Sequence, residues 1–259
     1  MANITFITAF KKFKGLYDNI QKSAIYSWLM NDIQIIAPNN EVGLRESSKA
    51  FPIKFIEGVQ RGRDLGFTNQ CPVIKDLIIK ALPLVETEMV AFINSDIIIY
   101  PDFSETLDRI IEKYGYDIFM VGVRRELNLK RVIDSPQNYK EVLLERWMKG
   151  NDQNTSSDIF ISSKFIFRRI GIDMPEFLLG RFAWDNWMHY FGQRYVSKHY
   201  NCTESLPIIH CVHGFDHIKN QEGEIGKNAP SSMHNIGLWK PYEQEYGTPQ
   251  IKNWSILDI

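Results

Sequence analysis

The sequence predicts an α/β fold, with helices packed against a central sheet, and three observations carry that class. An apolar, β-branched run at residues 3–9 (NITFITA) is followed by Ile20, Ala24, Trp28 and Leu29 at helical spacing, then by a second apolar run from Ile33 to Ala37. A β-α-β unit of this kind makes its two strands parallel. Strand-like and helix-like segments then keep alternating along the chain. Finally, the stretch MVAFINSDIIIYPDF, Met89 to Phe103, interrupts an apolar run with Asn94, Ser95 and Asp96. A strand buried on both faces takes polar side chains where it ends, because amides and carboxylates lose their hydration in a core. The triplet marks a carboxyl-terminal strand edge.

The elements follow in order. Asp18 is the candidate N-cap of the first helix, and Pro38 with Asn39-Asn40 stops the second strand. FPIKFIEGV reads as a third strand, PVIKDLIIKALPLV as a helix from near Pro72, and EMVAFINSD as the fourth strand. After Pro101 come helices near FSETLDRIIEKYG, NYKEVLLERWMKG and AWDNWMHYFG, and strands at DIFMVGV and DIFISSKFIF. From Asn220 to Ile259 Gly, Pro, Asn and Trp are frequent and periodicity is poor, which predicts a loop-rich tail packed over a site. The expected organisation is one domain over 1–259, with a first half at 1–100, a second at 101–219 and the tail at 220–259.

Composition excludes several classes. With 44% hydrophobic and 13% aromatic residues the chain can bury a sizeable core. Thirty basic against 31 acidic residues leave a formal charge of −1, so no global field favours nucleic acid or an anionic membrane. The N-terminus lacks a signal-peptide pattern and no window approaches the roughly 20 apolar residues of a membrane span, so a soluble, cytoplasmic protein is expected. Cys71, Cys202 and Cys211 lack CxxC spacing and read as buried, reduced thiols. A GxGxxG loop after the first strand and a GxSxG elbow are both absent, which argues against a dinucleotide dehydrogenase and an α/β-hydrolase.

Ligands of open α/β sheets bind outside the carboxyl ends of the strands. Asn94 and Asp96 there offer hard oxygen donors suited to Mg2+ or Mn2+, the alternative being that Asp96 caps a turn. Trp184 and Trp187, three apart, share a helix face beside Asp185, which with His189 makes an i, i+4 pair. That face is either a platform for a sugar ring or a piece of core with Asp185 capping the helix. His210, His213 and His217 cluster without a Cys or carboxylate at zinc-ligand spacing, and Lys219 and Lys227 follow them as possible phosphate counter-charges. Arg61 and Arg63 bracket a glycine; Arg63 is preferred for a diphosphate, and a solvated basic loop is the alternative.

The strand ending in an Asp-x-Asp-like triplet, in a chain that opens β-α-β, resembles the GT-A glycosyltransferases. SSDIFISSKFIF followed by IGIDMPEFLLGRFAWDNWM is similar to the acceptor half of GT-A-like nucleotide-diphospho-sugar transferases of plants, algae and large algal viruses. The resemblance implies a single GT-A domain with a Rossmann-like mixed central sheet flanked by helices. It implies metal-dependent transfer of a sugar from a nucleoside-diphosphate donor, UDP-linked, to a glycan acceptor, using Mn2+ or Mg2+, with inversion preferred. Carried onto this chain, Asp96 is the principal metal ligand and His213 a second. Asn94, which stands where the family has its first Asp, and Ser95 meet the ribose or a metal-bound water. Thr8, Ala9 and Phe10 hold the base and ribose, with Phe10 stacking; Asn39 and Glu41 are further contacts. Asp185 is the base that deprotonates the acceptor, Asp158 is the reserve or an acceptor ligand, and Arg181, Trp184 and Trp187 complete the acceptor side. Two rivals stand beside this reading. A sugar-nucleotide nucleotidyltransferase would use the lysines of TAFKKFKG, whose glycines are sparse, and a non-catalytic carbohydrate-binding module would keep the tryptophan face without a metal.

Overall fold

The structure, a computed structural model, describes residues 4–39, 43–47, 49, 51–148, 156–214, 226–248, 251 and 254–257. Its strands are β1 (Ile4–Ile7), β2 (Gln34–Pro38), β3 (Ile53–Ile56), β4 (Met89–Ile93), β5 (Ile97–Ile99), β6 (Phe119–Leu127), β7 (Ser157–Ser163), β8 (His199–Asn201), β9 (Ile208–Cys211) and β10 (Ser255–Ile256). The helices are α1 (Leu16–Leu29), α2 (Leu44–Ser47), α3 (Ile74–Ala81), α4 (Phe103–Tyr114), α5 (Pro136–Met148), α6 (Lys164–Asp173), α7 (Trp184–Tyr195) and α8 (Pro230–Tyr246). The sheet runs β10-β8-β6-β7-β4-β1-β2-β3. The strands β4, β1, β2 and β3 are mutually parallel, whereas β7 runs antiparallel to both β4 and β6.

Every residue of β1 and of β4 is buried. Alternate side chains point to opposite faces of a strand. Phe6 and Ala91 therefore pack with Ala24, Ile25 and Trp28 of α1 and Leu107 of α4, while Ile7 and Val90 pack with Leu77 of α3, Phe167 of α6 and Met188 of α7. Two covered faces explain why these strands read as unbroken apolar runs. Trp28 fixes the first face, its ring edge-on to Phe6 at 5.5 Å and its Nε1–H donating to Ile97 O at 2.9 Å.

The short strands β5 and β9 form a side arm. After a bulge at Gly122/Val123, β6 leaves β7 and pairs Arg124–Leu127 with β9. A side chain on Gly122 would bring its Cβ to 2.6 Å from Ile159 Cγ2, so the close approach at the bulge requires glycine.

Several boundaries differ from the sequence expectation. Gly15, with φ of 59°, precedes α1; Asp18 lies in the first turn and pairs with Lys22 at 2.8 Å. DIFISSKFIF is strand only to Ser163, whose Oγ accepts the Ile166 N–H at 3.4 Å and starts α6. The expected loop-rich tail contains α8, whose buried face is Ser231, Ser232, Asn235 and Trp239. Asn235 clamps Leu178, accepting from its N–H and donating to its carbonyl, both at 2.9 Å. A helix held by polar side chains shows no apolar period. All three cysteines are free, Cys202 and Cys211 buried as expected but Cys71 only partly covered. No helix among the described residues is long and apolar enough to cross a membrane.

Candidate functional site

The carboxyl edge of β4 is where the chain gathers its ionisable groups. Asn94 extends the ladder with β7, its N–H donating to Asp158 O at 3.1 Å, and its Nδ2 donates to Asp158 Oδ1 at 2.5 Å. Ser95 turns inward and donates to Gln21 Oε1 at 3.1 Å. Asp96 leads into β5, which pairs Ile97 with His210 of β9, and the Cys211 N–H donates to Asp96 O at 3.1 Å. This pairing carries residues more than a hundred positions away to Asp96. His213 Nε2 lies 2.8 Å from Asp96 Oδ2, and His210 Nε2 lies 3.9 Å from the same oxygen. One ligand atom each from Asp96, His210 and His213 falls within 4.8 Å of the others.

The chain leaving β1 closes the other side. Gln21 of α1 accepts the Lys11 N–H at 2.6 Å and donates back to Lys11 O at 3.0 Å. Lys11 Nζ reaches Asp96 Oδ2 at 3.1 Å and His213 Nε2 at 2.9 Å. The Tyr17 hydroxyl donates to Gly214 O at 3.0 Å, and its ring stands edge-on to His213 at 5.1 Å.

Burial acts on every acid here. It pushes Asp96 upward, but the charge of Lys11 leads the groups that outweigh it and hold the carboxyl well below the usual range. Burial lifts Asp158 to about 6 against the pull of Arg124, whose Nη1 donates to Asp158 Oδ2 at 3.2 Å; the charge of Asp96 adds to the rise. Burial also raises Asp185, opposed by backbone N–H donors including Asn186 and by the Arg124 charge. Burial lowers His210 to about 4, so its ring is neutral near pH 7.

The donor set fits a divalent cation. Asp96 Oδ1 is buried and has no hydrogen-bond partner among the described residues, while Oδ2 faces an imidazole nitrogen. His213 Nδ1 lies 3.0 Å from Gly214 O, the carbonyl contact that orients a metal-ligating histidine. A carboxylate with two imidazoles suits Mn2+ better than Mg2+.

Asp185 occupies the first turn of α7, its Oδ1 accepting the Asn186 N–H at 3.0 Å. The preceding residue but one, Ala183, has φ of 76°, a left-handed conformation that strains a non-glycine residue at the entry to this helix. Asp158 and Asp185 both feel Arg124, so β6, β7 and α7 deliver two acids around one guanidinium. The expected Asp185/His189 pair does not form. His189 instead meets Ser157 Oγ at 3.0 Å.

Other expectations are corrected by burial. Trp184 packs against Phe92 and Phe160, and Trp187, 1% exposed, against Phe177 and Phe191; both rings are core and present no sugar platform. Phe10, 4% exposed, packs on Phe13 and Trp28, which leaves no ring face for a base. Arg181 is buried, donating to Ser231 Oγ at 2.5 Å and to Gly180 O at 3.1 Å, and so ties the approach of α7 to α8 instead of facing an acceptor. Arg63 is exposed with Asp64 beside it at 3.6 Å, and Arg61 is buried, donating to Gln70 O. Thr8 follows β1 with Oγ1 buried and no partner among the described residues, Ala9 is half-buried, and Asn39, just after β2, bonds Arg45 and Glu57. Glu41, His217 and Lys219 lie outside the described residues; Lys227 stands over the Phe182 ring at 5.9 Å.

Sequence reasoning missed Lys11, Gln21, Arg124 and His210's place beside Asp96. The lysines after the first strand were the one visible signal. Arg124 joins the site only through the β6 bulge, which no local pattern announces.

Burial holds His189 neutral, its pKa pulled down to about 4. A folded-state pKa below the unfolded value of about 6.5 means that the unfolded chain binds the proton first as pH falls, so stability present above pH 6.5 is lost on the way to pH 4. Wild type should lose about 2 kcal/mol more than His189→Gln between pH 7 and pH 5 in urea unfolding. Equal losses would mean the ring titrates normally.

The architecture is the GT-A glycosyltransferase fold. The chain superposes on S. aureus TarS 1-349 with a TM-score of 0.51 and 13% identity, covering 94% of this chain and 73% of that one. It superposes on GalNAc-T7, solved with UDP, GalNAc and Mn2+, at 0.53 and 11% identity, covering 96% and 53%. For a longer S. aureus TarS structure the values are 0.52, 14%, 96% and 44%. No protein-family model and no curated protein sequence matches the chain. At such identities the likeness is one of fold.

Proposed function

We propose that this protein is a metal-dependent glycosyltransferase that moves a sugar from a UDP-linked donor to a glycan acceptor with inversion. The observation that carries the reading is Asp96 Oδ2 facing His213 Nε2 at 2.8 Å, with His210 beside them, at the carboxyl edge of a GT-A sheet. Asp96, His213 and His210 would hold Mn2+, which would supply positive charge for the diphosphate of the donor. Thr8 and Ala9 just after β1 and Asn39 just after β2 border the nucleoside, and Asn94 meets the ribose. Ser95 keeps the turn in place through Gln21. Solved with UDP and Mn2+, GalNAc-T7 shares the fold and supports the choice of ligands.

Asp185 takes the proton of the acceptor hydroxyl. Its raised pKa brings a carboxyl closer to the working pH, where a general base is most effective. Both oxygens of Asp158 are engaged, one by Asn94 and one by Arg124, so Asp158 positions the groups around it. A binding module resting on Trp184 and Trp187 loses its support, since both rings are buried.

The test is UDP release from a panel of UDP-sugars with oligosaccharide acceptors. One donor should turn over with Mn2+ and stop with EDTA. No nucleoside diphosphate from any donor, in any metal, would reject the reading.

A further inference from the structure

Lys11 touches both atoms that define the cation site. Its ammonium lies 3.1 Å from Asp96 Oδ2 and 2.9 Å from His213 Nε2, and an ammonium can only donate. The tautomer of His213 follows from its other side. Nδ1 lies 3.0 Å from Gly214 O, which can only accept, so Nδ1 carries a hydrogen, and Nε2, facing an ammonium that can only donate, presents a lone pair. That lone pair faces Asp96 Oδ2 at 2.8 Å. Two acceptors at this distance repel unless a cation lies against both, and Lys11 supplies it.

A ring nitrogen has a single in-plane lone pair, which serves either an N–H donor or a metal ion. Lys11 and a divalent cation therefore claim the same electrons on His213 and an oxygen in common on Asp96. From this geometry we propose that the Lys11 ammonium and the divalent cation compete for Asp96 and His213, and that the diphosphate of an incoming nucleotide takes up the displaced ammonium, so that metal and nucleotide bind cooperatively. The inference rests on the metal-dependent nucleotide-sugar reading given above.

The surroundings of Lys11 allow such a movement. Gln21 holds its backbone from both sides, so the side chain moves while the loop stays. That side chain is 31% exposed, and the Tyr17 ring lies 5.0 Å from Nζ as an alternative partner for the charge. By linkage, whatever factor the nucleotide adds to metal affinity, the metal adds to nucleotide affinity.

The experiment titrates Mn2+ calorimetrically into wild type, Lys11→Met and Lys11→Arg, each with and without saturating UDP. In wild type UDP should tighten Mn2+ on the order of 10-fold. Lys11→Met, without the competing charge, should bind Mn2+ alone on the order of 10-fold more tightly than wild type and show a smaller UDP effect, only the direct attraction between metal and diphosphate remaining. Lys11→Arg, which keeps a cation, should retain the coupling; Lys11→Gln replaces Lys11→Met if the latter fails to unfold cooperatively. Unchanged or weaker binding of Mn2+ alone in a folded, charge-removed variant overturns the competition while leaving the metal site standing. No Mn2+ binding by any of the proteins, with or without UDP, overturns the metal-site reading and the competition together.

Discussion

Asp185→Asn should lower the transfer rate by about 10²- to 10⁴-fold, the range that loss of a general base produces, while UDP and donor binding persist. The amide is isosteric and can still accept the Asn186 N–H, so the first turn of α7 stays in place. What disappears is the proton acceptor. Single-turnover rates set beside donor affinity separate the two effects, and a parallel loss of donor binding would show that Asp185 positions the nucleotide instead. Asp158→Asn is the companion variant. It removes the charge facing Arg124 and should disturb binding together with rate. A pure rate loss there, with Asp185→Asn unaffected, would move the base to Asp158.

Trp187→Ala should cost about 3–5 kcal/mol of stability in chemical unfolding, the ordinary range for removing a large aromatic from a packed core. Its indole lies between Phe177, Phe191 and Tyr242 and is 1% exposed, so nothing refills the space cheaply. Acceptor affinity of the fraction that remains folded should stay within about threefold of wild type, because a difference under about 0.7 kcal/mol is expected from a residue outside the site. Near-native stability with lost sugar affinity would restore the platform that the buried ring rules out.

The strands were legible because both faces of the sheet are covered. Phe6 and Ile7 go to opposite cores, so no polar residue interrupts β1, and the first polar triplet after β4 announces its edge. Helix spacing also put Trp184 and Trp187 on one face, but spacing cannot say whether a face looks at solvent or at a neighbouring helix. Tryptophan is buried far more often than not, and here the exposed aromatic of the segment is Phe182, just ahead of the helix. Helix α8 was illegible for the opposite reason, since three of its four buried residues, Ser231, Ser232 and Asn235, are polar and only Trp239 is apolar. At the site, Asp96 came from the polar triplet at the strand edge together with the family resemblance, and His213 from the resemblance. Lys11 and Arg124 did not, because each reaches its carboxylate across tens of residues through strand pairing and a bulge.

The most direct test of the central claim is calorimetric titration of UDP, UDP-glucose, UDP-xylose and GDP-sugars into metal-free protein, then with Mn2+, in wild type and Asp96→Ala. The account predicts that Mn2+ tightens the binding of UDP compounds on the order of 10-fold and that this gain vanishes in Asp96→Ala. Nucleotide binding that is the same with and without Mn2+, or a Mn2+ gain that survives in Asp96→Ala, would contradict it.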